Sequence, residues 1–324
     1  MTSDSIRAID LFCGIGGNSW GARQAGVEIV AGFDKWDLAG KVFQDNFPEA
    51  RFYNVDLAAL RHADIEQFRE ELGPIDLILA SPECTSHSVA RGASPKNKAS
   101  LRLSWNVWRF ARVFQPRWVV IENVSQFSAW ESYGKFLEIF RRMGYHFLEQ
   151  DLVASDFGVP QSRRRLYILL DQKQPPRHVE RHCEKPVSMR DIIHLNGDYR
   201  FSQLTTENRA RKTLARAEKA IQVLGPDQPF VLVYYGSEIE SGWLSLDEPL
   251  RTVTTHDRFA LVKPDGQGNY LMRMLQPPEL QAAMGFPPEF RLSASLTRGE
   301  KIHLLGNAVC PPVMQAIVKT LVQK

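Results

Sequence analysis

Short apolar runs alternate with helix-spaced segments across residues 6–170 of this 324-residue chain, and that alternation limits its fold more than any other feature. Each parallel strand needs a crossover to return to the same end of its sheet, and a helix is the usual crossover. Residues 6–12 read as a first strand, closed by a glycine turn and a helix over 18–25. Residues 28–33 form a second strand and 37–46 a helix ended by Phe47-Pro48. A weaker third strand is expected near 51–55, and a buried fourth over 75–80, Ile-Asp-Leu-Ile-Leu-Ala. Apolar side chains at Trp105, Trp108 and Ala111 give residues 101–114 helical spacing, and Pro116 ends that helix. A fifth strand follows over 118–121, then a closing pair over 147–153 and 166–170. The expected class is α/β, an open sheet of Rossmann-like character.

The texture changes after residue 170. Gln172-Lys173-Gln174-Pro175-Pro176-Arg177 is a polar, proline-bearing linker. Beyond it stand short strands (229–235, 261–263), one basic helix over 207–223, and no further regular alternation. Residues 309–322 again look like an amphipathic helix, one that returns to the first unit. The expected division is 1–170, 171–270 and 271–324.

Composition narrows the class. An apolar fraction of 44% and a charged fraction of 24% are those of an ordinary globular chain. No stretch reaches the roughly 18 uninterrupted apolar residues that cross a bilayer. The opening Met-Thr-Ser-Asp-Ser-Ile-Arg is not a secretory signal, so a cytoplasmic location is expected. The four cysteines, Cys13, Cys84, Cys183 and Cys310, form no Cys-x-x-Cys pair. No metal cluster is expected from them, and a single reactive thiol remains open. The net charge of +3 is weak evidence for any partner; the local clustering of basic residues says more.

The first strand runs into Asp10-Leu11-Phe12-Cys13-Gly14-Ile15-Gly16-Gly17. Ligands of open α/β sheets bind beyond the carboxyl ends of the strands, where glycines let the backbone come close. Asp34 follows the second strand about 20 residues on, where a carboxylate holds ribose hydroxyls. A nicotinamide fingerprint, G-x-G-x-x-G, fails here because its third glycine is missing. Asp56, after the third strand, is placed to meet an adenine amino group or to be a solvated turn residue.

Ser81-Pro82-Glu83-Cys84-Thr85-Ser86-His87-Ser88 follows the fourth strand directly, which puts a thiol at the active edge of the sheet. An isolated cysteine is usually a small buried hydrophobe. This one has company. The fifth strand ends in Ile121-Glu122-Asn123-Val124, Gln161-Ser162-Arg163-Arg164-Arg165 precedes another strand, and Leu305-Gly306-Asn307-Ala308-Val309 is a tight turn before a helix.

In this order the segments resemble the DNA (cytosine-5) methyltransferases. Phe12-Cys13-Gly14-Ile15-Gly16-Gly17 is similar to the family's first cofactor motif, Pro82-Glu83-Cys84 to its nucleophile motif, and Glu122-Asn123-Val124 to Glu-Asn-Val. Gln161 to Arg165 resembles Gln-x-Arg-x-Arg, and Gly306 to Val309 the final motif. Residues 273–287, ending Met-Gly-Phe-Pro, resemble the segment that braces the target domain. Three departures stand out. Glu83 occupies the position where the family has proline and Thr85 the position where it has glutamine, a Pro-x-Cys-Thr variant that resembles a phage-type branch, and Gln281 stands where arginine is common.

The resemblance implies S-adenosylmethionine as cofactor, held by Phe12, Gly14, Ile15, Gly16, Gly17, Asp34, Lys35, Asp56, Leu57, Asn307 and Val309. It implies Cys84, Glu122, Arg163 and Arg165 as the catalytic set. Carbon 5 of cytosine is a poor nucleophile until a thiolate adds at carbon 6, and covalent addition divides one hard step into two. Glu122 is expected at ring nitrogen 3 and Arg165 at the cytosine oxygen, with Arg163 supporting the loop or a phosphate. The target base must leave the duplex, so a mobile basic loop is expected over 85–100, with Ser86, Arg91, Lys96 and Lys98 on DNA. In the recognition region, Arg209, Arg211, Lys212, Arg216 and Lys219 are candidates for phosphates, and the 252–258 loop, with Thr254 and Arg258, for base edges. Double-stranded DNA is the expected partner, a restriction endonuclease a further one, and a monomer the expected state. An RNA cytosine-5 methyltransferase and a silent DNA-binding protein are the competing readings.

Overall fold

The computed structural model describes residues 5–83, 103–183, 185–235 and 239–322. Cys84, Ser86, Arg91, Lys96 and Lys98 lie outside them, with the whole of the expected 85–100 loop.

Seven strands form the larger sheet: β1 (Arg7–Leu11), β2 (Glu28–Asp34), β3 (Arg51–Asn54), β4 (Leu77–Ala80), β5 (Trp118–Asn123), β6 (His146–Val153) and β7 (Arg164–Asp171). Their spatial order is β3-β2-β1-β4-β5-β7-β6. The first five run parallel, while β7 is antiparallel to both its neighbours. The order reverses between β1 and β4, so the turns leaving these two strands open side by side at a switch point.

The helices are α1 (Gly17–Gln24), α2 (Asp37–Asn46), α3 (His62–Leu72), α4 (Trp105–Phe114) and α5 (Tyr133–Arg142). Strand residues alternate between the two faces. Ala8, Leu77, Leu79 and Val120 enter one core; Ile9, Ile78, Val119 and Ile121 enter the other. The central strands are thus apolar throughout, the signature of parallel strands covered on both sides.

Two helices, α3 and α5, are additional to those expected from the sequence. In α3 only Ile65 and Leu72 are buried among charged neighbours, so its stripe is thin. In α5 the buried residues are Tyr133, Phe136, Leu137 and Phe140, a helical spacing that the pattern does carry. Strand β5 runs two residues past its expected end, and so holds Glu122 and Asn123 within the ladder, opposite Tyr167 and Leu166.

A second sheet has the order β10-β9-β11-β12-β8, from β8 (Ser202–Gln203), β9 (Phe230–Val233), β10 (Trp243–Ser245), β11 (Phe259–Pro264) and β12 (Tyr270–Met274). Helix α6 (Arg211–Leu224) covers one of its faces with Ala217 and Ala220. The other face, through Val231, Val233 and Leu261, joins the main core. The expected division at residue 270 falls on the first residue of β12. The basic helix starts at Arg211, which leaves Arg209 outside it.

The chain closes with α7 (Pro277–Ala283), α8 (Arg298–Asn307) and α9 (Pro311–Val322). Helix α9 lies on α1 so closely that a Cβ at Gly21 would stand 2.3 Å from Pro311 O. Between the two regions sits a buried ion pair. Arg273 donates to both oxygens of Glu279 at 2.7 and 2.6 Å, and to His194 O at 2.9 Å. Glu279 also accepts from His194 N and Gln276 N, so the carboxylate is fully engaged, while Arg273 Nε has no hydrogen-bond partner among the described residues. Removal of one partner leaves an uncompensated buried charge. Glu279→Ala is expected to cost about 3–5 kcal/mol in chemical denaturation, and a loss below about 1 kcal/mol would mean the pair is solvated.

Candidate active site

The cofactor loop begins with strain. Phe12 (φ 57°), Gly14 (φ 52°) and Gly16 (φ 90°) are all left-handed, which glycine tolerates and phenylalanine rarely does. Each glycine serves a different contact. A Cβ on Gly14 would meet open space, one on Gly16 would stand 2.5 Å from the Phe47 ring, and one on Gly17 would stand 2.2 Å from Val309 O. Gly17 is therefore where the C-terminal segment reaches the loop. Asp34, at the end of β2, accepts from Gly14 N and Trp36 N, both at 2.9 Å, and so fixes the loop to the neighbouring strand. Burial raises the Asp34 carboxyl above its ordinary range. Val55 N bonds Asp34 O, which brings Asp56 to the same edge.

Not every expected cofactor residue presents its side chain. Ile15 and Leu57 are buried in opposite cores, so only their backbones remain for a ligand. Arg109, on α4, holds the Asp56 segment from behind by donating to Leu57 O and Leu60 O. Lys35 and Asn307 are exposed, and Val309 is buried against Gly17.

Beside this loop the chain leaves β4. Ser81 N donates to Leu11 O, and Pro82 O accepts from Asn123 Nδ2 at 3.1 Å. Cys84 follows two residues after Pro82 in sequence. Next to Asn123, Glu122 pairs with Arg165, Nε to Oε1 3.1 Å, the two being only slightly exposed.

The arginine motif divides its labour. The resemblance groups Arg163 with the catalytic residues, yet it is buried and spends Nη1 on Val253 O (3.1 Å) and Nη2 on Gly306 O (3.3 Å). This is a brace between the recognition loop and the last motif, not a phosphate contact. Burial lowers its pKa to about 10, still a cation at neutral pH. Gln161, to which the sequence assigns no role of its own, acts alongside it: it donates to Ala283 O and accepts from Val253 N, both at 2.8 Å. An amide within a charged motif was the available signal.

Of the cysteines described, Cys13 and Cys310 are buried, and burial raises both thiols, Cys310 to about 11. Neither offers a thiolate near neutral pH.

The recognition candidates separate as well. Arg209 donates to Leu204 O, Gln203 O and Ser202 Oγ, which ties it to β8. Arg216 is buried and bonds Val233 O, which takes it away from a phosphate, while Lys219 pairs with Glu240 at the surface. Arg211 and Lys212 are exposed. Thr254 Oγ1 turns back to His256 O, and Arg258 donates to Tyr234 O. A Cβ on Gly306 would stand 2.3 Å from the Thr254 backbone, so the 252–258 loop is seated on the last motif.

Asp10 lies beneath all this, fully buried, accepting from Ser19 Oγ (2.7 Å) and Asn18 Nδ2 (3.2 Å). Desolvation raises its carboxyl to about 7. The folded state therefore holds this proton more tightly than the unfolded chain. Its contribution to stability falls as pH rises from about 4 to about 7 and is flat above. The melting temperature of Asp10→Asn minus that of the native protein should rise between about pH 5 and about pH 8; a flat difference would mean the carboxyl titrates at its ordinary value.

Known proteins fit this geometry. The sequence profile of the C-5 cytosine-specific DNA methylases matches residues 6–323. Type II methyltransferase M.HindV of Haemophilus influenzae is 29% identical over 314 residues, 94% of this chain and 92% of its own. Type II methyltransferase M.HgiDI of Herpetosiphon aurantiacus is 27% identical over 311 residues, 94% of this chain and 90% of its own. The structure of a Spodoptera frugiperda DNMT2 mutant shares the fold, with a TM-score of 0.70 at 20% identity, over 98% of this chain and 100% of that one. A Rossmann-like sheet with a glycine loop at its switch point, and a profile matched across nearly its whole length, make this chain a member of the C-5 cytosine-specific DNA methylase family.

Proposed function

We propose that the protein transfers a methyl group from S-adenosylmethionine to carbon 5 of a cytosine extruded from double-stranded DNA, with Cys84 as covalent nucleophile. The observation that carries this reading is the Glu122–Arg165 pair, one residue from the Asn123 amide that ties down Pro82. A carboxylate, a guanidinium and the segment leading to a thiol meet at the ends of adjacent strands.

The loop suits the cofactor. It offers open space over Gly14, a carboxylate at Asp34 already oriented by two backbone donors, and a buried Asn18 Oδ1 with no donor among the described residues. An amine-bearing cationic ligand supplies such a donor. Phe12, Gly14, Gly16, Gly17 and Asp34 would hold it, with Lys35, Asp56, Asn307 and Val309 at the rim. S-adenosylmethionine brings an electrophilic methyl group.

The protein's own residues prepare the base. The Cys84 thiolate adds to carbon 6, which makes carbon 5 an enamine carbon able to accept the methyl group. Glu122 in its protonated form donates to ring nitrogen 3, Arg165 donates to the cytosine oxygen, and together they offset charge that develops on addition. Loss of the carbon 5 proton then expels the thiolate and restores the ring. Residues 171–270 read the sequence, with Arg211 and Lys212 on phosphates and the 252–258 loop toward base edges. The reading includes a monomer acting in a bacterial or phage-infected cytoplasm, with a cognate restriction endonuclease as partner in keeping with the type II relatives.

Cys84→Ser should abolish methyl transfer while S-adenosylmethionine still binds, and DNA carrying 5-fluorocytosine should trap an adduct on Cys84, because fluorine cannot leave as a proton does. Absence of that adduct overturns the covalent mechanism, and faster transfer to transfer RNA than to duplex DNA overturns the substrate. Asp34→Ala should weaken cofactor binding by about 1.5–3 kcal/mol in calorimetry, the worth of charge-assisted hydrogen bonds. Arg211→Ala with Lys212→Ala should weaken DNA binding for all sequences alike and lower the salt slope by roughly 0.9 for each phosphate no longer neutralised; an unaltered slope puts α6 on a solvated face.

A further inference from the structure

We propose that Asn18 and Ser81 form a positioning joint, which fixes the exit of the chain toward Cys84 to the shape of the cofactor loop. The inference rests on the reading of Cys84 as nucleophile. Strands β1 and β4 are neighbours in register, Leu11 opposite Ala80, and beyond that pair both backbones leave the sheet. The joint spans the gap that opens. Asn18 Nδ2 uses one hydrogen on Asp10 Oδ1 (3.2 Å) and the other on Ser81 Oγ (3.3 Å). The Ser81 hydroxyl passes its own hydrogen to Phe12 O at 3.1 Å.

Phe12 is the residue held in the left-handed region. Such a conformation costs of order 1–3 kcal/mol and persists only where its surroundings hold it. The donor that holds its carbonyl is the side chain of the first residue after β4, so the strained start of the cofactor loop and the start of the nucleophile segment share one hydroxyl. Pro82, the next residue, is tied from the opposite side by Asn123. Two consecutive residues, Ser81 and Pro82, are therefore fixed from two directions, which sets the direction in which the chain leaves Pro82. Asn18 is 1% exposed, and a buried amide that forks between a carboxylate and a hydroxyl cannot turn without losing both bonds. An apolar contact at this place would keep the strands packed but would carry no such direction.

The test compares Ser81→Ala with Ser81→Thr, which retains the hydroxyl. Three quantities are measured on the full chain: the S-adenosylhomocysteine dissociation constant, the melting temperature, and the rate of adduct formation on 5-fluorocytosine DNA beside kcat and KM. The alanine variant should form adduct and turn over about tenfold more slowly, the scale of a small misplacement of a reacting group. Because the same hydroxyl holds Phe12, the cofactor affinity of this variant should also fall, but by less than the rate of adduct formation, and the threonine variant should recover most of both. Native rates in Ser81→Ala overturn the joint, as does a slow variant that is equally unstable and not recovered by threonine. A native protein that forms no adduct at all overturns the covalent reading itself, a separate outcome from these.

Discussion

Close approach of backbone to backbone at Gly17 and Gly306 is the constraint on which the rest of the molecule depends. At Gly17 the cofactor loop touches Val309 O, and at Gly306 the last motif touches Thr254 and Thr255. The two contacts lie three residues apart in sequence on the C-terminal side, so residues 306–309 are clamped between the cofactor loop and the recognition loop. Any side chain at either glycine would force these pieces apart, and overpacking of this kind typically costs about 1–3 kcal/mol. Arg163 then binds the clamp from within, one terminal nitrogen on each of the two segments.

Buried charge is used sparingly and for alignment. Arg273 and Glu279 satisfy one another and engage further backbone groups, which fixes β12 and α7 against His194. Hydrophobic residues of like volume would contribute as much stability, but they would not fix a register. Among the described residues Arg163 bonds no carboxylate; carbonyl dipoles engage its two terminal nitrogens instead. Glu122 pairs instead with Arg165, at the place proposed for the chemistry. The two arginines stand two residues apart and differ in role because β7 begins at Arg164, and only Arg165 lies on the ladder.

The sheet was legible because its central strands are apolar on both faces, and the cofactor loop because left-handed backbone demands glycine. Helix α3 was not, since its buried stripe is two residues wide, and the charged residues around it give no period of their own. Motif residues were legible as a set while their separate roles were not. Arg163 and Arg165 are the same residue type in one short motif, and only burial tells the brace from the group at the carboxylate. The same holds for Arg209 and Arg216, whose clustering in sequence suggests phosphates. A sequence shows that a charge exists, not which carbonyl or carboxylate has already engaged it.

Seating the recognition loop on the last motif has a consequence for how specificity can vary. Val253 gives its carbonyl to Arg163 and its N–H to Gln161, and Leu250 bonds Pro160 and Ser162, so the start of this loop is fixed to the catalytic sheet by its backbone. Its far end is fixed too, through Asp257 to Arg298 and Arg258 to Tyr234. Between these anchors only Thr254, Thr255 and His256 can change what they present without moving the frame, and the Thr255 hydroxyl and the His256 ring already bond each other. The loop therefore cannot adapt to a new base by shifting its backbone while the catalytic centre stays intact. On the proposed reading of residues 171–270, changes of base preference come from side chains here, or from parts of the second sheet that do not touch Arg163. On the role proposed for the 252–258 loop, its anchorage to Arg163 ties the docking of DNA to the alignment of Glu122 and Arg165.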